Sequence, residues 1–174
     1  MSYYCFARRR RRTRESGDWR FRRVLFWSLQ ATGQRYDIIF VCGGVNVRAA
    51  TSEALRSFLR TQARAGSMLG ALCTGTFALA EAGLLRGYRC AVHWENLSAI
   101  QEEFPEIGGS GDVCVIDRNR LTCTGGSVPL DLILKIVEAR SGTSLSRAVA
   151  AQFILDRGRA GEESQPAANL AGMP

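Results

Sequence analysis

The chain has 174 residues and a formal charge of +7, a length that suits one domain able to bury about two thirds of its unfolded surface. The charge sits at one end: residues 1–23 hold nine arginines against Glu15 and Asp18, and the remainder sums to zero. A body without excess positive charge is not built to bind phosphate backbones, and no apolar run is long enough to cross a membrane.

Residues 1–23 lack apolar periodicity and read as a basic, disordered tail. The run Arg8–Arg12 has the alternative reading of a nucleic-acid arm, but a single lysine, Lys135, against 22 arginines points to coding bias. Arg23–Leu29 is a candidate strand. It resembles a secretion signal, yet it is short, begins late and precedes no convincing small-residue cleavage site. Asp37–Cys42 is a continuous apolar run that reads as a strand buried on both faces, ending at Gly43-Gly44. Thr51 or Ser52 can cap a helix whose apolar positions Leu55, Phe58, Leu59 and Ala63 keep helical spacing and whose stop is Gly66. Met68–Leu72 predicts the next strand, with Cys73 at its end and a helix from Phe77 toward Leu85.

Beyond Gly87, Arg89–Val92 predicts a strand with His93, Trp94 and Glu95 at its end. A helix over 95–103 is stopped by Pro105, and Gly108–Gly111 reads as a loop. Val113–Ile116 and Leu121–Thr124 predict a hairpin turning at Asp117–Arg120. Helices follow at about 129–139, with Pro129 and Asp131 in the first turn, and at about 145–155. The domain is expected over 24–160, with a polar tail over 161–174. Strands alternating with helices predict an α/β fold, a mostly parallel sheet flanked by helices on both faces.

Sheets of this kind bind ligands at the carboxyl ends of their strands. Gly43-Gly44, Cys73 and His93 all fall at that edge. A strand, a tight turn and a helix start form a nucleophile elbow when the residue at the bend is reactive. Cys73 is then the candidate nucleophile, His93 its base or orienting partner, and the amides of Gly44 and Thr74 the oxyanion donors. A buried structural cysteine and a satisfied structural histidine are the competing readings. The other cysteines, Cys5, Cys42, Cys90, Cys114 and Cys123, make no metal-ligand spacing with one another or with His93, so no metal or cofactor is expected, and a reducing cytoplasm fits them best.

The segments Asp37–Gly44, Leu72–Leu85 and Ala91–Glu95 resemble the ThiJ/PfpI superfamily, which has the class I glutamine amidotransferase-like, flavodoxin-like sandwich fold. The similarity is closest to the branch fused to AraC-type transcriptional regulators, and Leu121–Gly126, Pro129–Leu134 and Gln152–Arg157 with Gln165 extend it. The resemblance places Cys73 at the elbow, His93 facing it, and Gly43 and Gly44 in the loop that supplies an oxyanion-type amide. Residues 1–35 do not show the superfamily's opening strand–helix unit, so that unit is expected to be missing or degenerate, and Glu15 lies within the arginine-rich tail. The regulators carry about 100 further residues of helix-turn-helix units, a domain-sized addition absent from this sequence.

The resemblance thus implies a ligand-sensing domain of a regulator, stand-alone or truncated. It implies a small-molecule ligand, a homodimer, and DNA contact only through the missing helix-turn-helix part. The alternative is a cysteine-dependent hydrolase, or a glyoxalase- or deglycase-like enzyme acting on small carbonyl or amide compounds.

Overall fold

The computed structural model describes the backbone of residues 5–7 and the whole of residues 36–44, 46–155 and 165. Its main sheet has five strands: β1 (Cys5–Ala7), β2 (Ile38–Cys42), β3 (Met68–Leu72), β6 (Cys114–Asp117) and β7 (Arg120–Cys123), in the order β1-β2-β3-β7-β6. The three inner strands run parallel, and both outer pairs are antiparallel. A separate two-stranded parallel sheet joins β4 (Arg89–Ala91) to β5 (Gly108–Ser110). The mostly parallel α/β sheet expected from the sequence is therefore present.

Two local expectations differ, and two others fall outside the described residues. Cys5–Ala7, inside the stretch read as an unstructured tail, pairs with Ile39–Val41. The strand expected at Arg23–Leu29, and the place of the opening strand–helix unit, lie outside the described residues. Gly108–Ser110, read as loop, is a strand, because its backbone completes a ladder with β4. Its glycines lie against neighbouring side chains, with room at Gly109 limited by Leu97 and Ile100 of α4 (Leu97–Glu103).

Alternation along the strands divides the core into two layers. Ile39, Val41, Leu69 and Ala71 face one side, where α2 (Glu53–Arg64), α3 (Gly75–Glu81) and α4 pack. Phe40, Leu121, Cys123 and Cys114 face the other, against Val128 and Leu132 of α5 (Val128–Ser141). Helices on both faces explain why β2 and β3 carry no polar side chain rather than alternating. The Phe40 ring fills the space beside Gly70, where a Cβ would fall 2.2 Å from it.

The helix signals account for α2 closely. Ser52 Oγ accepts from the Leu55 amide at 3.2 Å, the buried positions are Leu55, Phe58, Leu59 and Gln62, and Gly66 ends the helix at φ 84°. A single turn, α1 (Val47–Ala50), precedes it, and α6 (Thr143–Gln152) follows α5. Arg48 of α1 pairs with Glu81 of α3 and Glu103 of α4, while Arg56 of α2 reaches the same Glu81 at 3.1 Å. These ion pairs tie four helices together beside the elbow.

β4 carries His93 at its end, and no ladder with the main sheet holds it. Side chains do so instead. The Ala91 amide donates to Thr122 Oγ1 at 2.8 Å, and the Arg89 amide donates to Asp117 Oδ2 at 2.8 Å. Arg118 and Arg89 beside it hold the Asp117 carboxyl below its ordinary range, the Arg118 hydrogen bond contributing most. At the same hairpin the Tyr88 ring meets two guanidinium groups, those of Arg118 at 3.7 Å and Arg120 at 4.7 Å from its centre.

Candidate active site at the cysteine elbow

The carboxyl ends of β2, β3 and β7 are level: Cys42 stands opposite Leu72, and Leu72 opposite Cys123. Cys73 is the first residue after β3, and its amide donates to the Cys123 carbonyl at 2.9 Å, extending the ladder by one bond. The chain then reverses, with Cys73 at φ 56°. A left-handed φ on a residue with a Cβ costs about 1–2 kcal/mol. We therefore expect an inverted order of stability at this position, Cys73→Gly exceeding Cys73→Ala by about 1 kcal/mol in urea melts, the reverse of the ordinary preference. Equal midpoints would mean that the bend carries no strain.

The turn is held from both sides. Gly43 donates to the Leu72 carbonyl at 3.0 Å, and Thr74 Oγ1 donates to the Gly44 carbonyl at 2.9 Å. A Cβ on Gly43 would lie 2.0 Å from the Gly75 nitrogen, and one on Gly75 would lie 2.2 Å from the Val41 oxygen. Two glycines are thus required where the end of β2 meets the start of α3. Behind the bend, Thr76 Oγ1 donates to the Ala91 carbonyl at 3.1 Å and joins the elbow helix to the strand bearing His93.

Cys73 and His93 converge on one point. A Cβ built on Gly125 would stand 3.1 Å from Cys73 Sγ and 3.5 Å from His93 Cδ2. The sequence-predicted pair is therefore brought together, and Gly125 is the floor between them. His93 is half-buried, its Nδ1 lies 3.5 Å from Glu95 Oε2, and its ring is tilted 35° to that of Trp94 with centres 5.7 Å apart. A contact of 3.5 Å is long for a hydrogen bond. Among the described residues, the amides of Gly44 and Thr74 make no hydrogen bond, whereas that of Gly43 is committed to Leu72. Of the two glycines assigned to the loop, Gly44 alone keeps a free donor, and Gly43 serves close approach instead.

The remaining described cysteines are all free thiols. Burial raises the thiol pKa of Cys42 and Cys114, pushes that of Cys90 up to about 12 and that of Cys123 higher still. Among the described residues no group of three or more His, Cys, Asp or Glu side chains is placed to hold a metal ion, and no helix is long and apolar enough to cross a membrane.

Sequence reasoning missed two residues. Gly125 lay in a Gly-Gly pair read only as the approach to α5, although the same pattern after β2 was read as a close approach. Gln165 is 4 % exposed and touches both flanks of His93. Nothing in its local sequence signals that role.

Together, sheet, elbow and facing histidine define an α/β protein with a cysteine at the carboxyl edge of its central strand. The chain belongs to the DJ-1/PfpI family, whose sequence model matches residues 16–139. It is 46% identical over 129 residues to the HTH-type transcriptional regulator GbdR of Pseudomonas aeruginosa, a match covering 74% of this chain and 35% of that protein. It is 31% identical over 120 residues to an isonitrile hydratase of Pseudomonas putida, covering 67% of this chain and 51% of the enzyme. Among solved structures, an AraC family transcriptional regulator from Pseudomonas putida matches with a TM-score of 0.63 at 26% identity, over 75% of this chain and 68% of that one. The chain spans about a third of the length of the regulator GbdR.

Proposed function

We propose that this chain is a ligand-sensing domain of an AraC-type transcriptional regulator and that its ligand, a small molecule, sits over Gly125 between Cys73 and His93. The observation that carries this reading is the convergence of those two side chains in a chain this similar to a regulator. The free amides of Gly44 and Thr74 suit a carbonyl or carboxylate oxygen on the ligand. Binding is expected to survive Cys73→Ser, because shape and hydrogen bonding, not thiol chemistry, hold the ligand. Calorimetry of the folded protein against small carboxylates and carbonyl compounds checks this, and absence of any binding by wild-type protein rejects the reading.

In this reading the domain pairs as a homodimer in the cytoplasm and reaches DNA only through a helix-turn-helix part of the regulator. Sedimentation velocity at micromolar concentration is expected to show a dimer, and a monomer there removes that element.

Similarity to the isonitrile hydratase and the left-handed bend at Cys73 favour a second reading, a thiol-dependent enzyme. The Cys73 thiolate would attack an electrophilic carbon, His93 would pass the proton to the leaving or developing basic atom, and the Gly44 and Thr74 amides would stabilise the anion. Turnover abolished by Cys73→Ser while binding persists would select this reading over sensing alone.

A further inference from the structure

His93 stands on a short connection that no ladder with the main sheet restrains, yet its ring must keep its place opposite Cys73. Gln165 supplies the restraint. Its Nε2 donates to the Val92 carbonyl at 2.9 Å, and its Oε1 accepts from the Trp94 amide at 2.9 Å. One primary amide thus grips the residues immediately before and after His93. The same Nε2 donates to the Gly111 carbonyl at 3.2 Å, and the Gln165 amide donates to that carbonyl at 3.3 Å. The grip is therefore anchored on the loop beyond β5 as well.

The side chain is buried and its bond to Val92 is wholly covered, so losing it leaves the Val92 carbonyl without that partner in a place water does not reach. A primary amide suits the task because it offers a donor and an acceptor at once. Glutamate offers only acceptors when ionised, and would face the Val92 and Gly111 carbonyls with negative charge.

We infer that Gln165 is a positioning residue that fixes the His93 imidazole against Cys73 by holding both flanking peptide groups. The inference rests on the reading of Cys73 and His93 as one working site, but its test does not depend on that reading. His93 is the chain's single histidine, so its imidazole Cε1–H gives one unambiguous NMR signal.

In wild-type protein that signal is expected to be single, sharp and displaced from the free-imidazole position. In Gln165→Ala it moves toward the free position or broadens, while the methyl signals of the core stay native. Gln165→Glu is the second variant. While its carboxyl carries a proton it can donate as the amide does and restores the wild-type signal, a range that burial against two carbonyls extends above the ordinary carboxyl pKa; once ionised it behaves as Gln165→Ala.

An unchanged His93 signal in folded Gln165→Ala, or a Gln165→Glu signal identical to wild type at all pH values, overturns the inference. Alkylation by iodoacetamide, read on the Cys73 peptide, separates the two claims. If the site works as a unit, His93→Ala and Gln165→Ala each slow it at pH 7 by about threefold or more. An unaltered rate in His93→Ala rejects the working pair while leaving the hold of Gln165 on His93 standing.

Discussion

Alanine at position 43 is expected to cost about 4 kcal/mol of stability or more, and alanine at position 44 less than about 0.5 kcal/mol. The contrast between adjacent glycines follows from what surrounds them. The added carbon at Gly43 would lie 2.0 Å from the Gly75 nitrogen and 2.4 Å from the Thr74 carbonyl carbon, while nothing stands within 4 Å of one on Gly44. Backbone atoms cannot rotate aside as a flexible side chain would, so the end of β2 must separate from the start of α3. That breaks the contact which aligns the elbow. For a domain of this size the loss corresponds to a fall in Tm of roughly 8–16 °C. Thermal melts of the two variants decide it: if Gly43→Ala melts with Gly44→Ala, the close approach is not a requirement of the fold. Gly75→Ala, aimed at the Val41 oxygen from the other side, is expected to match Gly43→Ala.

The second large effect is chemical. Among the five described cysteines, iodoacetamide at pH 8 is expected to label Cys73 first in the native protein, with Cys90 and Cys123 slower by about a thousandfold or more. Cys90, with its pKa pushed up to about 12, is thiolate in only about one molecule in ten thousand at that pH. Its side chain and that of Cys123 are also fully covered. Cys73 is half-exposed at the bend. Peptide mapping at early times tests the order, and equal labelling of Cys90 and Cys73 under native conditions would contradict the burial on which it rests. The same shifts set a pH dependence. A thiol whose native pKa is raised lends its stability below the unfolded value of about 8.5 and loses it as pH climbs toward about 12, so the fold is expected to weaken through that alkaline range.

Local chemistry made much of this molecule legible in advance. Ser52 and Gly66 bound α2 where capping and left-handed glycine require, and Ile38–Cys42 is apolar at every position because helices cover both faces of the sheet. The elbow could be read because a strand, a small-residue turn and a helix start were contiguous in sequence. What escaped was non-local. β5 consists of glycine, glycine and serine, residues with poor strand propensity, and it is a strand only because β4 lies beside it. Gly43 lies in the loop to which the resemblance gives an oxyanion-type amide, but its own N–H is engaged by Leu72, a bond that depends on the register of two strands. Gln165 belongs to the resemblance, but no local pattern gives it a role, since its value lies in two peptide groups more than 70 residues away.

That separation has a kinetic meaning. The Gln165 contacts close a loop of 73 residues onto Val92, whereas the bonds that hold the elbow close 30 residues from Thr74 to Gly44 and 50 from Cys73 to Cys123. Long closures are entropically costly and form late. The sheet and the cysteine elbow are therefore expected to assemble before the histidine is locked, and on a growing chain the pocket stays unfinished until residue 165 has emerged. On partial unfolding the order reverses, and the histidine side of the pocket loosens while the cysteine side still stands on an intact sheet.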